Sequence, residues 1–199
     1  MVVAKPPANV SHLRLFCALE IPAEVAKAVA IYVEKLADEF ANVKASWERA
    51  GRFHITLTFF GHIEETRGSV ISEAAEKVSQ STQPFSLSLN EAGVFPGPNF
   101  PRVLWLGVKD PPGRVTALHG RLEEEFAREG FAKDTRPFHP HVTIARLRMP
   151  RSARELAAAH TSRGFESVKF EVNRLVVVQS QLDPHGARHT IFSGHGFRE

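Results

Sequence analysis

The chain has 199 residues, of which 43% are hydrophobic, and its 25 Lys plus Arg against 22 Asp plus Glu leave a net charge of +3. That supplies a substantial core for one domain or two joined lobes, and the small basic excess suits an anionic ligand without demanding one. A lone cysteine excludes an internal disulfide, no apolar run reaches the ~18 residues of a membrane span, and Met1 to His12 lacks the pattern of a secretory signal, so the chain reads as cytoplasmic.

Residues 1–12 carry Pro6, Pro7 and Asn9 without periodicity and read as a loose leader to a single bilobal domain over 1–199. Leu13 to Leu19 predicts a strand, with Cys17 inside it as a small core residue. Pro22 starts a helix whose Val25, Val29, Val33 and Leu36 recur at helical spacing as far as Phe40. A strand from His54 to Phe60, ended by Gly61, leads to a helix over Val70 to Val78 and a strand over Phe85 to Leu89. The Pro/Gly-rich stretch Gly93 to Pro101 reads as the lobe connection. Arg102 to Val108 (strand), Val115 to Arg128 (helix), His141 to Leu147 (strand) and Ser152 to His160 (helix) follow. Val168 to Gln179 predicts one long strand, with Arg188 to Phe192 able to pair with it across Asp183-Pro184-His185-Gly186.

The order strand, helix, strand, helix, strand thus occurs twice. From the first strand to a histidine is 54 − 13 = 41 residues in one half and 141 − 102 = 39 in the other. A duplicated unit explains this, and predicts an α+β fold with pseudo-twofold symmetry: two antiparallel-rich sheets facing a central groove, with helices outside. His54-Ile55-Thr56-Leu57 and His141-Val142-Thr143-Ile144 are the same pattern on two strands, and residues two apart on a strand share a face. His and Thr of each copy therefore face the groove while Ile55, Leu57, Val142 and Ile144 face the core. Facing imidazoles suit in-line displacement at phosphorus, one as base and one as acid, and threonine hydroxyls can bond the non-bridging oxygens. No cofactor or metal is needed.

The forms HITLTFFG and HPHVTIAR resemble those of the two-histidine (2H) phosphoesterases. Among these the chain is similar to the bacterial and archaeal RNA 2′,3′-cyclic phosphodiesterases, once called 2′-5′ RNA ligases, from Arg14-Leu15-Phe16 through Arg102 to Leu106 and on to the last strands. The resemblance implies a bilobal fold and hydrolysis of an RNA terminal 2′,3′-cyclic phosphate to a 2′-phosphomonoester, with His54 as proton donor and His141 as proton acceptor. RNA with such an end, or a small cyclic nucleotide, is the implied partner of a monomer that touches no membrane. Two other readings stand beside it: end joining by the reverse chemistry, and a nucleotide- or RNA-binding module without catalysis.

Further candidates are open to two readings. Arg146 has the wrong parity for the groove in a regular strand, so it reaches phosphate only across a bulge or bend, or else forms an ion pair. Arg102 reads as a phosphate contact or a solvated charge, and Phe138, with Phe95 and Phe100, as a base-stacking or a packing residue. His139 and His141 form an H-x-H spacing with no further ligands nearby, and His185, His189 and His195 show no ligand pattern.

Overall fold

A computed structural model describes residues 11–110, 112–183 and 186–198. The described residues form nine strands and four α-helices in the order β1 (His12–Glu20), α1 (Ala23–Glu39), β2 (Ala45–Trp47), β3 (His54–Glu64), α2 (Gly68–Ser79), β4 (Phe85–Phe95), β5 (Val103–Lys109), α3 (Arg114–Arg128), β6 (His141–Leu147), α4 (Arg154–Arg163), β7 (Val168–Val172), β8 (Arg174–Asp183) and β9 (Gly186–Gly196). All strand pairs are antiparallel, in the order β7-β4-β5-β6-β3-β1-β8-β9, with β2 against β6. The two expected sheets are the halves of this one sheet, joined between β3 and β6 by a single ladder pair, Ile55 with Val142.

The duplication is exact in register. His54 pairs with Glu20 on β1, and His141 with Gly107 on β5. The offset is 141 − 54 = 87 for one strand and 107 − 20 = 87 for its neighbour. Both motif strands also carry the same bulge. Cys17 pairs with Thr58 and Ala18 with Thr56, leaving Leu57 as the extra residue; Leu104 pairs with Ala145 and Trp105 with Thr143, leaving Ile144. A bulge inserts one residue and so inverts the alternation beyond it. Thr58 and Ala145 consequently turn into the core, and Phe59 and Arg146 come round exposed.

The helices cover one face of the sheet. α1 buries Val25, Ala26, Val29, Val33 and Leu36; α2 packs on β1, β8 and β9, α3 on β3 and α2, and α4 on β4. These faces merge with Ile55, Leu57, Val142 and Ile144 in one core that also holds Cys17, fully buried. Burial pushes its thiol pKa up to about 12, which suits packing rather than nucleophilic chemistry. The opposite face is open and carries the small buried cluster Phe16, Ala18, Val176 and Val178. Among the described residues no helix is long and apolar enough to cross a membrane.

Three expectations need correction. The predicted strand Val168 to Gln179 is two, β7 and β8, which lie toward opposite edges of the sheet, beside β4 and β1 respectively. The alternation of Val168, Phe170 and Val172 breaks at the consecutive polar residues Asn173 and Arg174, and the Asn173 carbonyl accepts the Phe197 amide at 2.6 Å. Gly93 to Pro101 does not connect the lobes: its first residues end β4 and the remainder is the loop of the β4–β5 hairpin within one half. The crossing between halves occurs earlier, between α2 and β4. Gly61 does not end β3, which continues to Glu64 with Gly61 at φ 71°. The β8–β9 pairing follows the expected hairpin, with Pro184 and His185 of its turn outside the described residues. Residues 1–10 of the expected leader also lie outside them, and β1 starts at His12.

Ile55 has no exposed surface and sits where the halves meet. Ile55→Ala is expected to lower unfolding free energy by about 2–5 kcal/mol, whereas Ile31→Ala, at a site 45% exposed on α1, stays within about 0.5 kcal/mol. Urea denaturation of the two variants measures the difference.

Candidate active site

The Ile55–Val142 pair is the point about which the motif strands are related. Continuing its antiparallel register by one residue each way sets His54 across from Thr143 and Thr56 across from His141, all on the open face. A groove of about 1090 Å³ opens there, with His54, Thr56, Thr143 and Arg146 in its wall. The bulge at Ile144 is what brings Arg146 to the groove side, against the parity of a regular strand.

Each imidazole is held in the same manner. His54 Nδ1 lies 2.7 Å from the Arg52 carbonyl and His141 Nδ1 lies 2.6 Å from the His139 carbonyl, in both cases two residues upstream. A carbonyl only accepts, so Nδ1 carries the proton and donates it. That leaves Nε2 of each ring as the atom free to take or give a proton. The rings rest on different aromatic beds. His54 lies over Phe16 at 4.8 Å between centroids, with His189 at 5.5 Å. His141 meets Phe95 edge-on at 5.1 Å and Trp105 at 6.2 Å, and the Trp105 indole in turn lies so close over Gly93 that a Cβ there would approach it to 2.1 Å.

Desolvation dominates the electrostatics. Burial, opposed by the bond to the Arg52 carbonyl and aided by the charges of His189, Arg146 and His141, pushes the His54 pKa down to about 4. Burial also lowers His141, opposed by the bond to the His139 carbonyl and aided by the charges of Arg146 and His139. His189 is depressed by burial and by Arg52, Arg14 and Arg146. The groove is thus positively charged, and the imidazoles of His54, His141 and His189 are neutral near neutrality.

The other sequence candidates lie elsewhere. Arg102 is exposed with its guanidinium 4.8 Å over the Phe100 ring, outside the groove wall. Phe138 is stacked on His119 at 4.0 Å, and His119 Nδ1 bonds the Leu57 carbonyl, so Phe138 packs behind the motif strand. His139 offers its backbone carbonyl to His141, and among the described residues no group of three His, Cys, Asp or Glu side chains is placed to hold a metal ion. The groove adds residues not singled out from sequence: Arg14, Phe16, Arg52, Phe59, Arg148 and His189. A signal existed for two of them. Phe59 lies five residues after His54 as Arg146 does after His141, and Arg52 precedes His54 by two as His139 precedes His141. Nothing local marks His189.

Two imidazoles share a tautomer on related strands, and His54 stands with Thr56 and Thr143 in the wall of a groove rich in arginine. The sequence matches the 2′-5′ RNA ligase superfamily over residues 45–184, and the chain belongs to that family of 2H phosphoesterases. It is 31% identical over 151 residues to the RNA 2′,3′-cyclic phosphodiesterase of Methanothermobacter thermautotrophicus, covering 75% of this chain and 81% of that one. It is also 31% identical over 176 residues to the protein of the same name from Archaeoglobus fulgidus, covering 87% and 94%. The fold superposes on the crystal structure of Escherichia coli LigT complexed with 3′-AMP with a TM-score of 0.75 at 25% identity, over 95% of this chain and 100% of that one.

The depressed histidines make a prediction about stability. His54 binds a proton near pH 6.5 when unfolded and only near pH 4 when folded, so the unfolded state gains protons first as pH falls. Stability is therefore expected to be full above pH 6.5 and to decline through the window down to about 4, with His141, His160, His189 and His195, all lowered by burial, adding to the loss. Urea midpoints at about pH 7.5 and 4.5 check this; equal midpoints would mean that the imidazoles are not dry.

Proposed function

We propose that this chain hydrolyses RNA 2′,3′-cyclic phosphate ends to 2′-phosphomonoesters, acting as a monomer in the cytoplasm. The observation that supports the chemistry is the matched pair of Nδ1-to-carbonyl bonds, which leaves Nε2 as the free ring nitrogen on two histidines of related strands, His54 in the groove wall and His141 on the neighbouring strand. In this reading the cyclic phosphate sits between His54 and His141, its non-bridging oxygens bonded by the Thr56 and Thr143 hydroxyls and by Arg146. His141 Nε2 takes a proton from water as the water oxygen bonds to phosphorus. The P–O3′ bond breaks, its electron pair stays on O3′, and O3′ takes the proton from His54 Nε2. Water has gained the phosphoryl bond, the 2′ ester remains, and a proton passed between the two histidines through solvent restores the start. No step calls for a nucleophilic side chain. With a 5′-hydroxyl in place of water, the same steps would join ends: the 5′ oxygen bonds to phosphorus as His141 takes its proton, and O3′ leaves with the proton of His54, giving a 2′-5′ diester.

An acid with a pKa of about 4 is largely deprotonated at neutrality, so the substrate must help. A phosphate anion beside the ring favours the imidazolium and raises its pKa on binding. The kcat/KM profile, which reports the free enzyme, is therefore expected to be a bell lying to the acid side of the kcat bell, which reports the complex. Superimposed bells would contradict this account of His54.

His54→Ala and His141→Ala are each expected to lower kcat by roughly 10² to 10⁴-fold with smaller effects on binding, and the double variant to lose less than the product of the two. Single-turnover cleavage of a cyclic-phosphate RNA by variants shown folded by circular dichroism measures this. Turnover at the wild-type rate by either variant would exclude the mechanism, and tight RNA binding without turnover by the wild-type protein would favour the non-catalytic module.

A further inference from the structure

The 87-residue repeat is broken at one place directly behind the motif strands. In the first repeat β2 runs along β6, pairing Trp47 with Ala145, and the next amide, that of Glu48, bonds the carbonyl of the bulged Ile144 at 2.9 Å. The counterpart of β2 is 132–134 (132 − 45 = 87, 134 − 47 = 87), and among the described elements it is not a strand. Side chains of α3 take its place. Thr58, the counterpart of Ala145 (145 − 58 = 87), donates its hydroxyl to one oxygen of Glu123 at 2.8 Å, and the Asp134 amide donates to the other oxygen at 2.8 Å. The Glu123 carboxylate thus bridges the two positions that the first repeat joins through its backbone. One turn earlier, His119 Nδ1 donates to the carbonyl of the bulged Leu57 at 3.0 Å, as the Glu48 amide does to Ile144.

The matching positions of α1 hold no such pair. Leu36 (123 − 36 = 87) is fully buried in the core, and Tyr32 (119 − 32 = 87) turns its hydroxyl to His160. Glu123 is only 7% exposed, and a carboxylate at that depth costs free energy that an apolar side chain such as Leu36 does not. Both ends of the bridge lead to the reacting groups. Thr58 lies two residues beyond Thr56 on β3, and Asp134 opens the segment that ends at His139, whose carbonyl holds the His141 ring. His119 ties that segment a second time, stacked at 4.0 Å and 13° from parallel on Phe138, the residue before His139.

We infer that Glu123 and His119 are positioning residues of the reacting centre. They stand in for a missing strand, holding β3 with His54 and Thr56 against the segment that orients His141, and neither lines the groove. The effect on rate rests on the catalytic reading above; the effect on geometry does not.

The test compares Glu123→Leu, which copies Leu36, with Glu123→Gln, whose oxygen can accept the Asp134 amide while its NH2 group donates to the Thr58 oxygen. With a cyclic-phosphate RNA, Glu123→Leu is expected to lower kcat by roughly 10 to 10²-fold with KM changed by less than about threefold, and Glu123→Gln to recover most of the loss. His119→Phe keeps the stack on Phe138, loses the bond to Leu57 and is expected to lower kcat by about tenfold. If Glu123→Leu does not fold, Thr58→Val removes one end of the bridge at equal volume and Thr58→Ser restores it, with the same expectations. Imidazole NMR of the proteins without substrate reads the geometry itself. The His141 Nδ1 proton is expected to exchange with water about tenfold faster in Glu123→Leu, the worth of one hydrogen bond, and at the wild-type rate in Glu123→Gln. Wild-type kcat in Glu123→Leu, unaltered His141 exchange, or a Gln variant as slow as the Leu variant would each overturn the inference. If the wild-type protein cleaves no cyclic-phosphate RNA, the catalytic reading fails and the exchange rates alone decide: faster exchange in Glu123→Leu that Glu123→Gln reverses supports the bridge, and equal rates refute it.

Discussion

A single residue pair, Ile55 opposite Val142, carries the hydrogen-bonded ladder from one half of the sheet to the other. Both side chains are fully buried, so the joint is made by the core on one face while the other face stays open for chemistry. Everything at the site follows from that joint. One residue on either side of it stand the histidines and threonines, and beyond them the two bulges turn the chain so that Phe59 and Arg146 take up groove positions. Had the strands paired along their whole length, a flat sheet would occupy the space that the groove now fills.

The second governing feature is dryness. Packing His54 on Phe16 and His141 against Phe95 and Trp105 fixes ring orientation, and it also removes the water that would stabilise an imidazolium. Arg146 adds repulsion to both rings. The site therefore holds neutral imidazoles under a positive potential, a combination that favours an anion. Ligand charge and protonation are coupled, and the groove discriminates against neutral ligands without any contact devoted to that purpose.

The alternation of the motif strands was legible because the bulges fall just after Thr56 and Thr143; had they fallen two residues earlier, parity would have put the threonines in the core. The helices were legible too, since α1 and α3 each bury one stripe. What could not be read was long-range placement. Asn173 and Arg174 break the alternation of the stretch by a single residue, yet that break separates strands that lie in different halves of the sheet. Arg52 and His189 reach one groove from positions far apart in the chain, with the Arg52 side chain bonded to the Ala187 carbonyl at 2.5 Å, and no local pattern announces such a meeting. Phe138 illustrates the converse: its setting beside the motif suggested a base-stacking role, but its partner is His119 on α3.

The placement of β4 and β8 has an evolutionary and a kinetic consequence. β4 comes from the first repeat yet lies beside β5, and β8 comes from the second yet lies beside β1. Neither repeat can complete its own half of the sheet without a strand lent by the other. A single repeat on its own could build such a half only by trading strands with a second copy, an exchange that one continuous chain holds in place. In the present chain the cross-traded strands force many contacts between residues distant in sequence, a topology that folds slowly and all at once. Two fragments separated in the exposed loop between β4 and β5 would each carry a borrowed strand of the other, and so could recover the groove only by reassociating.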